Sequence, residues 1–265
     1  MISIDLNSDI GESFGIYRLG SDREVLAHVT SANIACGFHA GDPQTIANTV
    51  RAAIDADVAI GAHPGFPDLQ GFGRRNMHLN PDEVYNITVY QVGALKAFAE
   101  AAGGRLAHVK IHGALHNQAV RDKNLSRALC AAVKAVDQGL IFFALAGSEL
   151  VNAAQEANLS VAQEVFADRT YQDDGSLTSR NDPRAMITDV EVSIRQVLNM
   201  LLNRTVRSLS GHLVPVQPDT LCIHGDQPGA AEFAVRIREI LRTEGIAVAA
   251  PNTNRLSTRS ASQFE

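Results

Sequence analysis

The chain has 265 residues, 45% of them hydrophobic, and a formal net charge of −6. That is apolar material for one large core, and an α/β barrel often runs to this length as a single domain. No Lys/Arg block or basic stripe occurs, which argues against nucleic acid and anionic membrane surfaces as partners.

The opening MISIDLNSDIGES has neither a basic start nor a long apolar run, so no signal peptide is expected. No apolar stretch reaches the roughly 18 residues of a membrane span. The three cysteines, Cys36, Cys130 and Cys222, are far apart and form no CxxC pair. A reducing compartment, the cytoplasm, is expected, with each cysteine a small buried side chain rather than a disulfide partner or zinc ligand.

Taken in chain order, β-rich runs fall at residues 2–6, 32–36, 58–62, 106–111, 140–145, 161–166 and 221–223, with a weaker one at 246–249. Several are apolar almost throughout, as strands covered on both faces are. Helical patterns lie between them. Asp42 followed by Pro43 reads as an N-cap with proline in the first turn, and Ile46, Val50 and Ile54 continue an apolar stripe. Asn80 and Pro81 repeat the device with Glu83 as capping-box partner, and Gly103 and Gly104 end that helix. Asp182 and Pro183 are expected to open a long helix toward Leu202. A last helix is expected from Gly229 to Glu244, closed by Gly245.

Alternating strands and helices imply parallel strands joined by right-handed crossovers. An open sheet gathers its ligand groups at one switch point, whereas a barrel takes them from many strand ends. Polar clusters follow nearly every strand here, which favours an irregular seven-stranded (β/α) barrel over residues 1–250, with a polar C-terminal tail at 251–265.

The first cluster, D-L-N-S-D-I-G-E, places Asp5, Asn7 and Asp9 on one side of a strand and is followed by Glu12. Polar groups facing a barrel interior are costly unless they bind something. The next clusters contribute Asn33 and His39, then His63 with Arg74 and Arg75 in a glycine-rich loop suited to an anionic substrate. In H-V-K-I-H-G-A-L-H, Lys110 and His112 alternate with Val109 and Ile111, so both face away from the apolar side; His108 and His116 read as ordinary satisfied polar residues. Glu164, Asp168, Arg169, Tyr171 and Arg180 follow, and I-H-G-D adds His224 and Asp226 at the last strand end. The four histidines beside glycines, His39, His63, His112 and His224, suit either a divalent metal or acid–base work near neutral pH. Spacing alone leaves both open. Neither a GxxxxGK[ST] nucleotide loop nor a GxSxG elbow is present.

Taken together, D-L-N-S-D-I-G-E, N-I-A-C-G-F-H-A-G-D-P, G-A-H-P-G-F-P-D-L-Q-G-F-G-R-R, R-T-Y-Q-D-D-G-S-L-T-S-R and I-H-G-D resemble the LamB/YcsF family across most of the chain. The chain departs from the family's V-K-P-H-G-A-L-Y-N, with Ile111 in place of the proline and His116 in place of the tyrosine. The resemblance implies a barrel similar to those of polysaccharide deacetylases and glycoside hydrolases. It also implies ATP-driven opening (ATP with Mg2+) of the 5-oxoproline lactam together with two partner subunits, B and C. On residue type and position, Asp9, His39 and His63 are expected to activate water or a phosphoryl acceptor. Lys110 and His112 stabilise negative charge, and Asp168 is a further acid or base. Arg75, Arg169 or Arg180 is expected to hold the substrate carboxylate, with Asn7, Glu12, Glu164, His224 and Asp226 as further substrate contacts. Two alternatives stand beside this: a metal-dependent deacetylase or amidohydrolase acting without ATP, and a non-catalytic subunit of a complex.

Overall fold

The structure, a computed structural model, describes residues 2–223, 230–252 and 256. Ten strands occur among them: β1 (Ser3–Ile10), β2 (Ser31–Ala35), β3 (Ala59–His63), β4 (Leu106–Lys110), β5 (Ile141–Leu145), β6 (Ser160–Phe166), β7 (Thr205–Arg207), β8 (Leu213–Pro215), β9 (Thr220–Cys222) and β10 (Ala247–Val248). The helices are α1 (Asp22–Leu26), α2 (Pro43–Asp55), α3 (Pro81–Ala101), α4 (Gly113–Ala119), α5 (Lys123–Val136), α6 (Glu149–Glu156), α7 (Val190–Leu198) and α8 (Ala230–Thr243).

Seven parallel strands close into a barrel in the order β1, β2, β3, β4, β5, β6, β9, and β9 pairs back to β1 through Asp5↔Thr220 and Asn7↔Cys222. This is the expected irregular barrel. The weak run near residue 246 becomes β10, which adds Ala247 and Val248 to the first residues of β1 rather than forming an eighth stave.

β1 runs to Ile10, well past the expected end at Leu6. Its polar residues look like a loop when read singly, but they alternate with apolar ones at the strand period. Asp5 and Asn7 are buried in the barrel while Ile4, Leu6 and Ile10 are buried in the hydrophobic core. The lengthening puts Asp9 opposite Asn33 of β2, and in the next pair Ala35 of β2 lies opposite His63 of β3. Polar strand ends thereby converge at one mouth.

The caps of α2 and α3 form as read. Asp42 accepts from the Gln44 and Thr45 amides, and Asn80 and Glu83 close a full capping box. Each is worth about 1 kcal/mol. The helix expected to open at Asp182 starts later: Asp189 caps α7 by accepting from the Glu191 and Val192 amides. Asp182 instead closes a turn onto Arg184, binding its amide and its guanidinium. An Asp before a proline is as good a turn former as a helix cap, and local sequence does not separate the two. α7 then widens into a π turn (Asn199–Asn203) ending at left-handed Arg204. The antiparallel β7–β8 ribbon that follows carries no strong alternation in sequence.

Candidate functional site

The barrel interior is polar in layers. Deepest, Asp5 accepts from Thr30 (2.6 Å), Ser31 (2.7 Å) and Thr220. Burial raises its pKa to about 6, although those hydroxyls pull the other way. His108 stacks on Phe143 with ring centroids 4.1 Å apart and contacts Asn33 Oδ1 through Nε2 at 2.8 Å. Burial, then the Lys110 charge, brings its pKa down to about 3. It is the satisfied polar residue expected.

Gly61 makes room for that ring: a Cβ there would lie 2.0 Å from His108 Nε2. Gly61→Ala must therefore push the imidazole off Asn33, and a loss of about 1–3 kcal/mol is expected, typical of overpacked interiors. A thermal midpoint equal to that of the parent protein would show that the barrel yields there.

Above this layer Lys110 is the hub. Its Nζ lies 2.8 Å from Glu164 Oε1, 3.0 Å from Asp9 Oδ1, 3.1 Å from Asn7 Oδ1 and 3.0 Å from Cys222 Sγ. Burial works against the ammonium, but the two carboxylates outweigh it and hold its pKa well above the ordinary lysine value. Burial also keeps the Cys222 thiol neutral. Asn7 and Asn33 tie the carboxylates together: Asn7 Nδ2 donates to Glu164, and Asn33 Nδ2 donates to Asn7 Oδ1 and Asp9 Oδ1.

At the mouth, Glu12, His39, His63 and His112 bring one ligand atom each to within 4.8 Å of one another, all four buried. His63 Nδ1 lies 2.8 Å from the Lys110 carbonyl, and His112 Nε2 lies 2.8 Å from the Phe72 carbonyl. A carbonyl only accepts, so both of those nitrogens carry protons. The other nitrogens, His63 Nε2 and His112 Nδ1, then face each other at 3.0 Å. In two neutral rings these are opposed lone pairs, and a cation between them removes the conflict. His39 stacks on His112 with centroids 3.7 Å apart, and neither of its buried ring nitrogens has a hydrogen-bond partner among the described residues. Burial first, then neighbouring histidines, keeps His39 and His112 well below the usual imidazole range. Three imidazoles and a carboxylate suit a zinc-like divalent ion, so the cluster has the donors and the closeness to hold one.

Backbone fixes this cluster as much as side chains do. Phe72 is left-handed (φ 54°), an unfavourable state for a phenylalanine, and its carbonyl thereby meets His112. A Cβ on Gly73 (φ 63°) would sit 2.7 Å from His39 Cβ and 2.8 Å from His112 Cδ2. Gln91 of α3, fully buried, holds Gly65 through both its amide (3.0 Å) and its carbonyl (2.9 Å). The sequence gives no sign of this role, because a glutamine within a helix carries no mark that distinguishes it from a solvated one.

A cavity of about 1110 Å³ opens above, lined by Asp9, Glu12, His63, Lys110 and His112, and further out by Arg74, Arg75, Arg169 and Arg180. Asn7 and Glu164 lie beneath it rather than on its wall. Asp168 is buried at the end of β6, outside the lining. Arg75 is held by Asp68 and its side chain is 66% exposed, while Arg180 is exposed near Met186 Sδ. Arg169 is buried and donates to the Thr178 and Ala185 carbonyls, so it also pins the loop that forms the far wall. His224 and Asp226 fall outside the described residues.

A closed parallel barrel with a buried histidine–glutamate cluster at the C-terminal ends of its strands defines a (β/α)-barrel protein whose candidate site lies at the barrel mouth. The chain belongs to the LamB/YcsF family, whose model matches residues 4–256. It is 56% identical over 250 residues to the A subunit of 5-oxoprolinase from Geobacillus thermodenitrificans, covering 94% of this chain and 97% of the relative. It also resembles the crystal structure of a lactam utilization protein from Thermus thermophilus, with a TM-score of 0.89 and 48% identity over 94% of this chain and all of that one. A family 4 carbohydrate esterase from Streptomyces lividans, 11% identical and covering 96% of this chain and 95% of its own, shares the fold alone at a TM-score of 0.50. No helix among the described residues is long and apolar enough to cross a membrane.

Proposed function

We propose that this chain is the A-type subunit of a cytoplasmic, ATP-dependent 5-oxoprolinase, which opens the lactam of 5-oxoproline to glutamate together with B and C subunits. The observation that carries the reading is the convergence of Asp9, His63 and Lys110 beside the Glu12–His39–His112 group on the floor of a cavity rimmed by arginines, in a chain whose relatives are named for this activity.

A five-membered lactam is unstrained and recloses readily. Coupling to ATP (with Mg2+) answers this: phosphorylation of the amide oxygen makes the ring carbon electrophilic and provides phosphate as a leaving group. Water then adds to that carbon, the C–N bond breaks as the nitrogen takes a proton, and a second water hydrolyses the resulting acyl phosphate, releasing phosphate and leaving the free carboxylate of glutamate. Asp9, whose Oδ2 is 3.3 Å from His63 Nε2, fits the role of base toward the attacking water, and His63, with its one lone pair at Nε2, serves as that base only when no metal is held there. Lys110 supplies fixed positive charge where negative charge develops. Asp168 is kept as a further acid or base. Arg169 is preferred to Arg75 for the substrate carboxylate, since among the described residues two of its five donors are committed while Asp68 already occupies Arg75. Glu12, His39, His63 and His112 would hold a divalent metal, which when bound polarises oxygen ligands as a Lewis acid.

The test is glutamate and phosphate release from 5-oxoproline, ATP and magnesium by this chain alone and with B and C subunits. Release only by the full mixture, falling about 100-fold or more in His63→Ala, is the expected result. Unchanged turnover in His63→Ala and Lys110→Met would instead assign the chain a non-catalytic role in the complex. Metal analysis gives a separate readout: His39→Ala is expected to lower the metal retained per chain severalfold, whatever its activity. A second reading, a metal-dependent amidohydrolase without ATP, is favoured by the histidine cluster itself. Amide hydrolysis by the metal-loaded chain without ATP or partners would establish it.

A further inference from the structure

One wall group of the cavity has no task in this scheme. His116 lies one turn along α4 from His112, is 7% exposed, and its Nε2 has no hydrogen-bond partner among the described residues. A buried polar atom left without a partner is costly and calls for one. Burial, then the Lys110 charge, draws the imidazole down to about 4, so it is neutral near pH 7. Its hydrogen bond to the Asn117 side chain acts in the opposite direction. Asn117 offers a side-chain carbonyl oxygen as an acceptor, and in the tautomer that donates to it from Nδ1, Nε2 carries a lone pair and accepts.

The remaining side chains of the cavity determine what it accepts. Arg74 and Arg169 offer only donors, and Lys110, whose hydrogens are committed within the protein, adds positive charge; these match the two acceptors of the lactam acid, its carboxylate and its ring carbonyl. The ligand's one donor is the ring N–H. Asp9 is occupied by Lys110, Asn33 and His63, and Glu12 belongs to the histidine cluster. We propose that His116 Nε2 accepts the hydrogen bond from the ring N–H of the bound lactam and so selects lactams over ring-carbon isosteres. His116 is then a substrate-positioning and specificity residue. This inference rests on the lactam-opening reading above.

The test compares 5-oxoproline with 3-oxocyclopentane-1-carboxylate, in which CH2 replaces the ring N–H. The complete three-subunit mixture is used, with the isostere as competitive inhibitor. With the parent chain the inhibition constant is expected to exceed the 5-oxoproline KM by roughly tenfold or more, the usual effect of leaving a buried acceptor unpaired. In His116→Phe that ratio should fall to within about threefold, chiefly through a raised KM, and His116→Gln, which keeps an acceptor, should restore part of it. An unchanged ratio in both variants overturns the assignment while leaving the lactam-opening reading standing. Absence of any 5-oxoproline turnover by the parent mixture overturns both. A purely structural role for His116 would lower kcat or stability in the variants without moving the ratio.

Discussion

Replacing Lys110 by methionine is expected to lower the stability of the protein by about 3–5 kcal/mol, the cost of stranding buried charges without their partner. The ammonium lies between Asp9 and Glu164, and the Lys110 and Glu164 side chains are 4% and 1% exposed. Without it two carboxylates face each other across Asn7 and Asn33, whose amide hydrogens are already committed. Burial against water makes neither charge tolerable, so one must take a proton or admit solvent. Adding Glu164→Gln removes one of the stranded charges. The double variant should therefore regain more than a third of the loss, and the two changes will be non-additive. Urea midpoints of the parent, the two single variants and the double variant measure this. Additive losses would mean that Lys110 and Glu164 do not act as the buried pair described.

The second large effect is acid lability. In the metal-free protein His39, His108, His112 and His116 are all held neutral below the ordinary imidazole value of 6.5, with His108 at about 3 and His116 at about 4. Once unfolded they protonate near 6.5. As pH falls below that value the unfolded chain gains protons that the folded one refuses, and stability is lost. Asp5 works the other way: at about 6 when folded and 3.8 when unfolded, it adds stability as pH falls through that window. Near pH 5, unfolding therefore takes up a net three protons from these groups. At about 1.4 kcal/mol per proton and pH unit, stability should fall by roughly 4 kcal/mol per pH unit. Chelator-treated protein should consequently unfold sharply between about pH 6 and 4. A urea midpoint that stays flat from pH 7 to 5 would sink this account.

Much of the fold is legible in the sequence because apolar runs and proline caps are local signals. The alternation of Asp5, Asn7 and Asp9 even marks which side of β1 faces inward. The inward turn of Lys110 is equally visible, since a strand lysine between valine and isoleucine has one polar face to occupy. Partnership is what stays hidden. Cys222 reads as plain filler, yet it lies 3.0 Å from Lys110 Nζ across the barrel. Arg75 looks like a free guanidinium, but Asp68, seven residues earlier in a folded loop, holds it. His39, His63 and His112 each stand out singly, but their meeting with Glu12 depends on strand register and on the left-handed turn at Phe72. Neither is encoded in any short window.

The backbone wall around the histidines also constrains how the protein can diversify. Gly65, Gly73 and Gly113 press main chain against the imidazoles or against one another, and a Cβ on Gly113 would lie 2.5 Å from the Gly73 carbonyl. A surface made of main chain offers no side chain to exchange, so its contour is inherited almost unchanged by any descendant that keeps the fold. New ligand preferences must then arise on the opposite bank, where Ser179, Arg180 and Asn181 line the cavity from an exposed loop. Saturation libraries confined to that loop should yield folded, altered variants, whereas libraries at the three glycines should yield mostly dead ones.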